Sequence, residues 1–348
     1  NSSPIVWGDR IFLTTARDNG RRLSMLAYNR ADGRILWETF IPQEGVEWAH
    51  QKNGYASATP ATDGERVYAS FGRHGLAAFD LSGRILWHRR FGVIDNYHGP
   101  AGSPVLYKDR VFLYQDQNPT RNQTAFVAAF DKVTGKTLWQ TSRTATVGWG
   151  TPVVIDTGER DELVVSGQRR VTAYAPDTGR ELWTVRGMTF EVIPTPVVGH
   201  GLVFASSGRA GPTMAIRPGG SGDVTSTHVV WSTPKGSPFV PSAIVVGALL
   251  YLVNDMQSIL TVYEAKTGVL VYQGRLGMAQ REGFSASPVA VNGKVFFTND
   301  DGQTFVVQAG REFKLLHVNE LGARTLASPA LVDATWYWRT DAGLVAVR

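Results

Sequence analysis

Short apolar runs separated by polar turn residues repeat along the whole chain at a spacing of roughly 40 to 50 residues. Each repeat contains one run rich in branched and aromatic residues, of the kind that favours β-strands. These runs are RIFLTT, RVYASF, RVFLYQ, ELVVSG, LVFASS, LLYLVN, KVFFTN and TWYWRT. Apolar residues at a helical period of 3.6 never extend beyond a turn or two. The pattern therefore predicts an all-β protein.

A Ser/Thr-Pro dipeptide followed by an apolar run marks the start of each repeat. The starts are SSPIVW, ATPAT, GSPVLY, GTPVVI, PTPVVG, ASPVAV and ASPALV, and the degenerate copy PSAIVV at Pro241 lies between PTPVVG and ASPVAV. Eight starts indicate eight repeats, and together they cover essentially the whole chain. The organisation is that of a repeat protein rather than of a TIM barrel or a Rossmann fold.

A turn and an aromatic residue follow the third run of most repeats. Glycine precedes tryptophan by four residues in four copies, and Trp231 and Tyr272 take the same place in two others. Glycine supplies the positive φ of a hairpin turn, so the aromatic residue falls on a fourth strand, where it packs against a neighbouring repeat. The predicted docking residues are Trp37, Trp87, Trp139, Trp183, Trp231 and Tyr272.

Four strands in a repeat of about 45 residues are typical of a propeller blade. We therefore predict an eight-bladed β-propeller that forms a single domain over residues 1–348, with four antiparallel strands per blade. The last copy, ASPALVDATWYWRTDAGLVAVR, stops after its third strand. The predicted blades are approximately 1–45, 57–92, 101–144, 149–187, 193–236, 240–277, 285–322 and 326–348.

The missing fourth strand of the last blade leads to two expectations. Either the eighth blade has three strands, as in a shortened chain, or another segment closes it. An open edge can pair with a second chain, so we expect a monomer in which edge pairing is possible.

The amino-acid composition excludes several classes of protein and of binding site. The chain is 43% hydrophobic and 19% charged, which excludes intrinsic disorder, and it has no apolar stretch near the roughly 20 residues of a membrane span. The net charge is +5, but the basic residues occur singly or in pairs such as Arg89-Arg90, so nucleic acid is not an expected partner. Without cysteine there is no disulfide and no thiolate metal site.

The segment DKVTGKTLW, from Asp131 to Trp139, resembles the tryptophan-docking motif of pyrroloquinoline-quinone (PQQ) repeat propellers. Longer phrases such as NGYASATPATDGERVYASFG and YLVND are similar to PQQ-like propellers of planctomycetes and related environmental bacteria, whose functions are largely unassigned. The resemblance implies a fold similar to that of the outer-membrane assembly lipoprotein BamB. The resemblance implies a protein of the bacterial cell envelope, periplasmic or secreted.

Polar and aromatic side chains concentrate in the connections between blades, where propeller loops converge into a funnel. The first connection, IPQEGVEWAHQKNGYAS, is the longest, and long loops in compact folds are often functional. The predicted ligand-binding funnel consists of Trp48, His50, Lys52, Asn53, Tyr55, Asp95, Tyr97, His98, Gln115, Asp116, Trp149 and Arg209. Two interpretations stay open: these groups bind a polar, planar or saccharide ligand, or they satisfy loop backbones and ordered water.

Other chemical motifs are weak or absent. The glycine-rich segment 217–223 lacks the GK[ST] ending of a phosphate loop, so we predict a turn there. The seven histidines show no HExxH spacing, and no GxSxG elbow occurs. Asp255 and Asp300 are weak calcium candidates because no compact acidic loop accompanies them. No metal site or catalytic residue is firmly predicted.

Two functional hypotheses follow. The first is a non-catalytic scaffold that binds an envelope protein or a polar small molecule or saccharide through the funnel loops. The second, implied by the resemblance, is a PQQ- and calcium-dependent dehydrogenase acting on an alcohol or sugar. Its candidate residues are Asp95 or Asp116 as the base, Lys52 or Arg209 towards the cofactor carboxylates, and Trp48 or Trp149 stacking on the rings. Quinoprotein alcohol dehydrogenases typically have longer chains and a disulfide between adjacent cysteines, which this chain cannot form.

Overall fold

A computed structural model describes residues 2–92, 94–118, 125–144, 147–209, 211–277 and 283–348. The strands form eight separate sheets with almost no helix, and the fold is an eight-bladed β-propeller. This confirms the all-β prediction and the number of blades. Helix among the described residues is limited to a turn at Gly72–His74 and to α1, Thr225–His228.

Most blades consist of four antiparallel strands in sequential order. Blades 1 to 4 contain β1 (Ile5–Trp7), β2 (Arg10–Arg17), β3 (Arg22–Asn29), β4 (Ile35–Phe40), β5 (Ala61–Thr62), β6 (Arg66–Ser70), β7 (Leu76–Asp80), β8 (Ile85–Arg89), β9 (Val105–Tyr107), β10 (Arg110–Gln115), β11 (Ala125–Asp131), β12 (Thr137–Arg143), β13 (Val153–Asp156), β14 (Asp161–Gly167), β15 (Arg170–Tyr174) and β16 (Glu181–Arg186).

Blades 5 to 8 contain β17 (Val197–Gly199), β18 (Leu202–Ser206), β19 (Thr213–Ile216), β21 (Val229–Ser232), β22 (Ile244–Val246), β23 (Leu249–Asn254), β24 (Ile259–Glu264), β25 (Leu270–Arg275), β26 (Val289–Val291), β27 (Lys294–Thr298), β28 (Gln303–Gln308), β29 (Leu315–Glu320), β30 (Ala330–Val332), β31 (Thr335–Thr340) and β32 (Gly343–Val347). One further strand, β20 (Gly222–Asp223), lies between β19 and β21 in the chain and belongs to the sheet of blade 4. The eighth sheet has three strands, as predicted.

The chain divides into two compact units. One comprises residues 1–146, 329–339 and 343–348, with blades 1, 2, 3 and most of blade 8; the other comprises residues 147–328 and 340–342, with blades 4 to 7. The grouping of all 348 residues into a single domain stays a prediction.

The glycine-rich segment 217–223, for which the sequence predicts a turn, also contains a short strand. Its strand β20 pairs in parallel with β16, so that blade 4 has five strands, with Trp183 opposite Gly222. A prediction based on a regular repeat could not place this two-residue strand, because it lies in a segment between β19 and β21 that departs from the pattern.

Each fourth strand of the first six blades carries its aromatic residue just after a bulge. The register shifts between Ala27 and Tyr28 in blade 1, and at the corresponding place in blades 2 to 7. A bulge increases the local twist of a strand. Here the bulge lies next to the turn that joins the third and fourth strands of the same blade. Directly opposite the aromatic residue is a small or branched residue, for example Ala27 opposite Trp37.

Three tryptophans lie on a turn glycine of the next blade. A Cβ added to Gly83, Gly135 or Gly268 would lie 2.5 to 2.6 Å from the ring of Trp37, Trp87 or Trp231, respectively. Each indole Nε1–H also donates to a carbonyl of that turn, as from Trp37 to Leu81 O at 2.9 Å. Only glycine leaves room for the ring, and its positive φ suits the turn.

The other predicted docking residues have different surroundings. Trp183 is fully buried and donates to Glu162 Oε2 at 2.7 Å. Trp139 lies 5.8 Å from the ring of Phe112, and Tyr272 lies 6.1 Å from the ring of Phe313.

The Ser/Thr of the repeat starts links successive blades within each unit. The Ser3 N–H donates to Thr59 Oγ1 at 3.1 Å, and the Thr59 N–H donates to Ser103 Oγ at 3.0 Å. The same bond recurs in the other unit between Thr151, Thr195, Ser242, Ser287 and Ser328. The degenerate copy keeps Ser242 although it lacks the proline, so the hydroxyl is the part of the motif that makes this contact.

Candidate functional site

Two loops of the first unit bring exposed aromatic residues together: residues 41–60, between β4 and β5, and residues 90–104, between β8 and β9. The Trp48 Nε1–H donates to Tyr97 O at 2.9 Å, the rings of Tyr97 and His98 are 4.5 Å apart, and those of His98 and His50 are 5.0 Å apart. We call these four residues, Trp48, His50, Tyr97 and His98, the aromatic loop surface. Trp48 is 68% exposed and Tyr97 43% exposed.

Asn53 fixes the two loops to each other. Its Nδ2 donates to His98 O and Gly99 O, both at 2.9 Å, and the His50 N–H donates to His98 O at 3.1 Å. A Cβ on Gly99 would lie 2.8 Å from Trp48 O, so the backbones touch there. The aromatic loop surface is therefore built on directly bonded backbone, and the Asn53 amide holds the loops together.

The aromatic loop surface carries little charge of its own. Partial burial lowers the pKa of His50, and the neighbouring His98 and Lys52 lower it further. The Lys52 N–H approaches His50 Nδ1 at 3.3 Å, which suits a neutral ring. At pH 7 an uncharged imidazole stands beside the exposed indole and phenol.

Asp116, a candidate base, lies in a buried ion pair. The Arg143 Nε donates to its Oδ1 at 2.7 Å, and the side chains are 0% and 2% exposed for Asp116 and Arg143, respectively. The Arg143 guanidinium also lies 5.3 Å from the ring centre of Tyr114. Asn96 Nδ2 donates to Asp116 O at 3.3 Å, which links the pair to the loop of residues 90–104. The carboxylate is neutralised and removed from solvent.

Two polar groups beside this pair are buried without a hydrogen-bond partner among the described residues: the Tyr114 hydroxyl and Gln115 Nε2. Complete burial raises the pKa of Tyr114 well above its ordinary value, and the adjacent Asp116 raises it further. The Gln115 side chain is buried as well.

Glu47 connects the loop of residues 41–60 to the turn after β6. Its Oε2 accepts the Arg73 N–H at 3.1 Å, and a Cβ on Gly72 would lie 2.2 Å from the same oxygen. Burial raises the pKa of Glu47 to about 7. His74 contributes to the same cavity, and its pKa falls to about 4 through burial and the nearby Arg73 and Arg90.

The cavity between these groups has a volume of about 10 Å³ and is lined by Glu47, Ser57, Ser70, His74 and neighbouring small residues. That volume accommodates about one water molecule. Ser57 Oγ and His74 Nε2 are buried and have no hydrogen-bond partner within the described part of the chain, so a bound water would satisfy them. A cofactor or a sugar ring is much larger than this space.

Three further predicted residues of the first unit are not among the four that form the aromatic loop surface. The ring of Tyr55 covers Gly20 of the β2–β3 turn, where a Cβ would lie 2.6 Å from it. The Asp95 backbone contacts the loop after β10, with its O accepting the Asn118 N–H at 2.6 Å. Lys52 is half-buried beside His50.

The predicted residues of the second unit occupy separate places. Trp149 is buried, and its backbone N–H donates to Val192 O at 3.0 Å. Arg209 is exposed, 3.5 Å from Glu191 Oε2 and 5.0 Å from the ring centre of Phe239. The two calcium candidates each accept a backbone N–H at 2.7 Å: Asp255 from Phe239 and Asp300 from Ser285.

A PQQ and calcium site does not fit the described residues. No group of three or more His, Asp or Glu side chains there could hold a metal ion. Asp116 is paired with Arg143, and Asp255 and Asp300 anchor loop backbone. Carboxylates are usual among the six to eight oxygen ligands of Ca²⁺, and no such group of acidic side chains occurs among the described residues.

The structural contacts identify two side chains that the sequence does not single out, Glu47 and Arg143. Glu47 lies in the loop segment QEGVEW, where its sequence context is that of an ordinary surface acid, and Arg143 is the last residue of an ordinary fourth strand. Charged residues are almost never buried unless paired or specially placed, so only their contacts distinguish them.

Comparison with known proteins places the fold in a family. The sequence profile described as outer membrane protein assembly factor BamB matches residues 1–121 and 123–348. The chain belongs to this family. A search of curated proteins finds no match. The PQQ-like resemblance drawn from the sequence is confirmed by the family match.

Solved structures show the same fold at low sequence identity. BamB from Moraxella catarrhalis is 13% identical, with a TM-score of 0.71, over 99% of this chain and 92% of that one. A europium-containing methanol dehydrogenase is 12% identical, with a TM-score of 0.71, over 96% of this chain and 81% of that one. Quinohemoprotein alcohol dehydrogenase from Comamonas testosteroni is 11% identical, with a TM-score of 0.71, over 99% and 71%. The fold is thus common to an assembly factor and to dehydrogenases.

Within the described part of the chain, no helix has the length and apolar character needed to cross a membrane.

Proposed function

We propose that this BamB-family propeller is a non-catalytic scaffold of the bacterial cell envelope, located in the periplasm or secreted, that binds another protein through its aromatic loop surface. The observation that carries the proposal is the contrast between exposed aromatic residues and buried acid groups. Trp48 and Tyr97 face solvent, whereas Asp116 is enclosed in its ion pair.

The composition of the aromatic loop surface supports a protein partner. Tryptophan and tyrosine are enriched at the centres of protein interfaces, because they bury a large area at a small entropic cost. The indole Nε1–H of Trp48 is already bonded to Tyr97 O, which fixes the ring before a partner arrives. Rigid presentation reduces the entropy lost on binding.

The groups available for catalysis support the same proposal. A general base must reach a substrate proton, and Asp116 is fully buried. The cavity beside Glu47, with a volume of about 10 Å³, accommodates about one water molecule. The shared fold with BamB from Moraxella catarrhalis agrees with binding, although the same fold serves dehydrogenases.

Site-specific photo-crosslinking tests the proposal in cells that produce the protein. Tyr97 is replaced by the photoreactive residue p-benzoylphenylalanine, which keeps an aromatic ring, and the matched control carries it at Val133, an exposed turn residue. We expect a discrete crosslinked species from position 97 and none from position 133. Adding Trp48→Ala should remove the crosslink without changing the thermal midpoint, because Trp48 is mostly exposed.

Two outcomes would contradict the scaffold. Equal crosslinking at positions 97 and 133 would mean that the aromatic loop surface has no special contact. A crosslink that survives Trp48→Ala would mean that the indole does not take part in binding.

A PQQ- and calcium-dependent dehydrogenase is the second candidate, and the fold shared with the europium-containing methanol dehydrogenase favours it. It would require a set of metal ligands, and no group of three or more His, Asp or Glu side chains that could hold a metal ion occurs among the described residues.

A further inference from the structure

Three loops of the second unit bring an arginine and two phenylalanine residues together. They are residues 187–196, between β16 and β17, residues 207–209, directly after β18, and residues 233–243, between β21 and β22. The Arg209 guanidinium carbon lies 5.0 Å from the ring centre of Phe239, and Arg209 Nε lies 3.5 Å from Glu191 Oε2. Phe190, which precedes Glu191, is 48% exposed. We call Phe190, Arg209 and Phe239 the arginine-aromatic surface.

Hydrogen bonds and close backbone contacts fix these three loops to one another. The hydroxyl of the buried Ser207 accepts the Thr189 N–H at 3.2 Å, and the Ser237 hydroxyl donates to Ser207 O at 2.6 Å. A Cβ added to Gly208 would lie 2.8 Å from Phe190 O, so the backbones of the first two loops touch. The arginine-aromatic surface is therefore formed before a partner arrives, which reduces the entropy lost on binding.

The Arg209 guanidinium keeps hydrogen-bond donors for a ligand. It lies over the ring of Phe239, and the Glu191 carboxylate stands beside its Nε. Among the described residues no oxygen accepts a hydrogen bond from its two terminal nitrogens, and the Arg209 side chain is 52% exposed. A guanidinium held in this way can bind a second carboxylate through two parallel hydrogen bonds.

The exposed charges around this surface have one sign. Besides Arg209, the exposed charged residues are Lys235, on the third loop, and Arg169, in the turn between β14 and β15. The Arg169 O accepts the Gly187 N–H at 3.0 Å, so this turn adjoins the first loop. The one acidic residue in the sequence of these segments is Glu191, whose side chain is only 11% exposed. The positive charge favours an acidic partner.

We propose that the arginine-aromatic surface binds an acidic segment of a partner protein, in which an aspartate or glutamate adjoins an aromatic or aliphatic residue. The carboxylate accepts hydrogen bonds from the terminal nitrogens of Arg209, and the apolar side chain packs against Phe190. Arg169 and Lys235 attract the segment before contact. Arginine and phenylalanine are both enriched at the centres of protein interfaces. The site shares no residue with the aromatic loop surface, so the two proposals are tested separately.

Selection of random peptides displayed on phage against the purified protein tests the proposal, with counter-selection against the Arg209→Gln variant. We expect the enriched peptides to contain an acid next to an aromatic or aliphatic residue. An enriched peptide, labelled with fluorescein and titrated by anisotropy, should bind Arg209→Gln about tenfold more weakly or worse, because charge-assisted hydrogen bonds are lost. The same peptide with its acids replaced by the corresponding amides should lose affinity to a similar extent.

Further protein variants locate the site. The matched control is Arg180→Gln, at an exposed arginine at the opposite end of β15 from Arg169, which should leave peptide binding unchanged. Arg209→Lys keeps the charge beside Glu191 but not the planar fork, so it should also weaken binding. Phe239→Leu keeps an apolar side chain but removes the ring under the guanidinium, and it should weaken binding by a smaller factor. Far-ultraviolet circular dichroism checks that the variants fold.

The proposal is overturned if no acidic peptides are enriched, if the amide peptide binds as tightly as the acidic one, or if Arg209→Gln and Arg180→Gln bind the enriched peptide equally well. Release of the peptide by millimolar sulfate at constant ionic strength would assign the surface to small anions instead of a protein segment, and it also overturns the proposal.

Discussion

Replacing Arg143 with methionine is expected to lower the free energy of unfolding by about 3 to 5 kcal/mol. The guanidinium neutralises Asp116 from 2.7 Å, and both side chains are almost completely buried. Methionine fills a similar volume but leaves an ionised carboxylate without a counter-charge, and desolvation of that charge is costly. Unfolding in urea, followed by circular dichroism, measures the change.

The matched control for this variant is Arg17→Met. Arg17 also contacts a carboxylate through two nitrogens, at 2.7 and 2.9 Å from the oxygens of Glu38, but its side chain is 46% exposed. For Arg17→Met we expect the free energy of unfolding to fall by less than about 1 kcal/mol. The double variant Asp116→Asn with Arg143→Met should recover part of the loss because no charge remains. Equal small losses for Arg143→Met and Arg17→Met would show that the buried pair has no special importance.

Glu47→Gln should stabilise the protein at alkaline pH. The pKa of Glu47 is about 7 in the folded protein against 4.5 ordinarily, because burial disfavours its charged form. The neutral carboxyl therefore contributes stability that is fully present below pH 4.5 and is lost as the pH rises through 7. The stability advantage of the variant should grow by about 3 kcal/mol between pH 4.5 and pH 8.

The control for Glu47 is Glu44→Gln on the same loop. Its hydrogen bond to Arg90 lowers the pKa of Glu44, which is the opposite direction. We expect no gain in stability with rising pH for this variant. A constant difference between Glu47→Gln and the wild type over the whole range would contradict the burial of the Glu47 carboxyl.

His74 also makes the stability of the protein depend on pH, at the acid end of the range. Its pKa is about 4 in the folded protein against 6.5 ordinarily, so the stability of its neutral form is present above pH 6.5 and lost as the pH falls through 4. Between pH 4.5 and 6.5 the effects of His74 and Glu47 oppose each other. This is why the difference between variant and wild type, and not the wild-type profile alone, isolates Glu47.

The fold could be predicted because its determinants are local and repeated. A turn glycine, an aromatic residue four positions later and a Ser/Thr at each start are all short-range signals, and each has a visible contact. Gly83 receives Trp37, and Thr59 donates to Ser103. Blade 5 differs because the insertion that forms β20 has no counterpart in other copies, so repetition gives no guidance there.

The candidate site could be predicted only in outline. Loop position correctly suggests that Trp48, His50, Tyr97 and His98 meet, since they belong to successive connections on blades 1 and 2. Burial and pairing are set by contacts between residues far apart in sequence. Asp116 and Arg143 form one such contact, and Glu47 and Arg73 form another. Nothing in the sequence near Asp116 distinguishes a neutralised structural acid from an exposed base.

The central claim is that this propeller binds without catalysing a reaction. Calorimetric titration of the purified protein with PQQ in the presence of Ca²⁺, followed by reduction of an artificial dye with a panel of alcohols and aldoses, tests it directly. We predict no calcium-dependent heat and no dye reduction, because Asp116 is neutralised by Arg143 and the cavity beside Glu47 has the size of a water molecule. Tight, calcium-dependent PQQ binding together with turnover of any of these substrates would contradict the account.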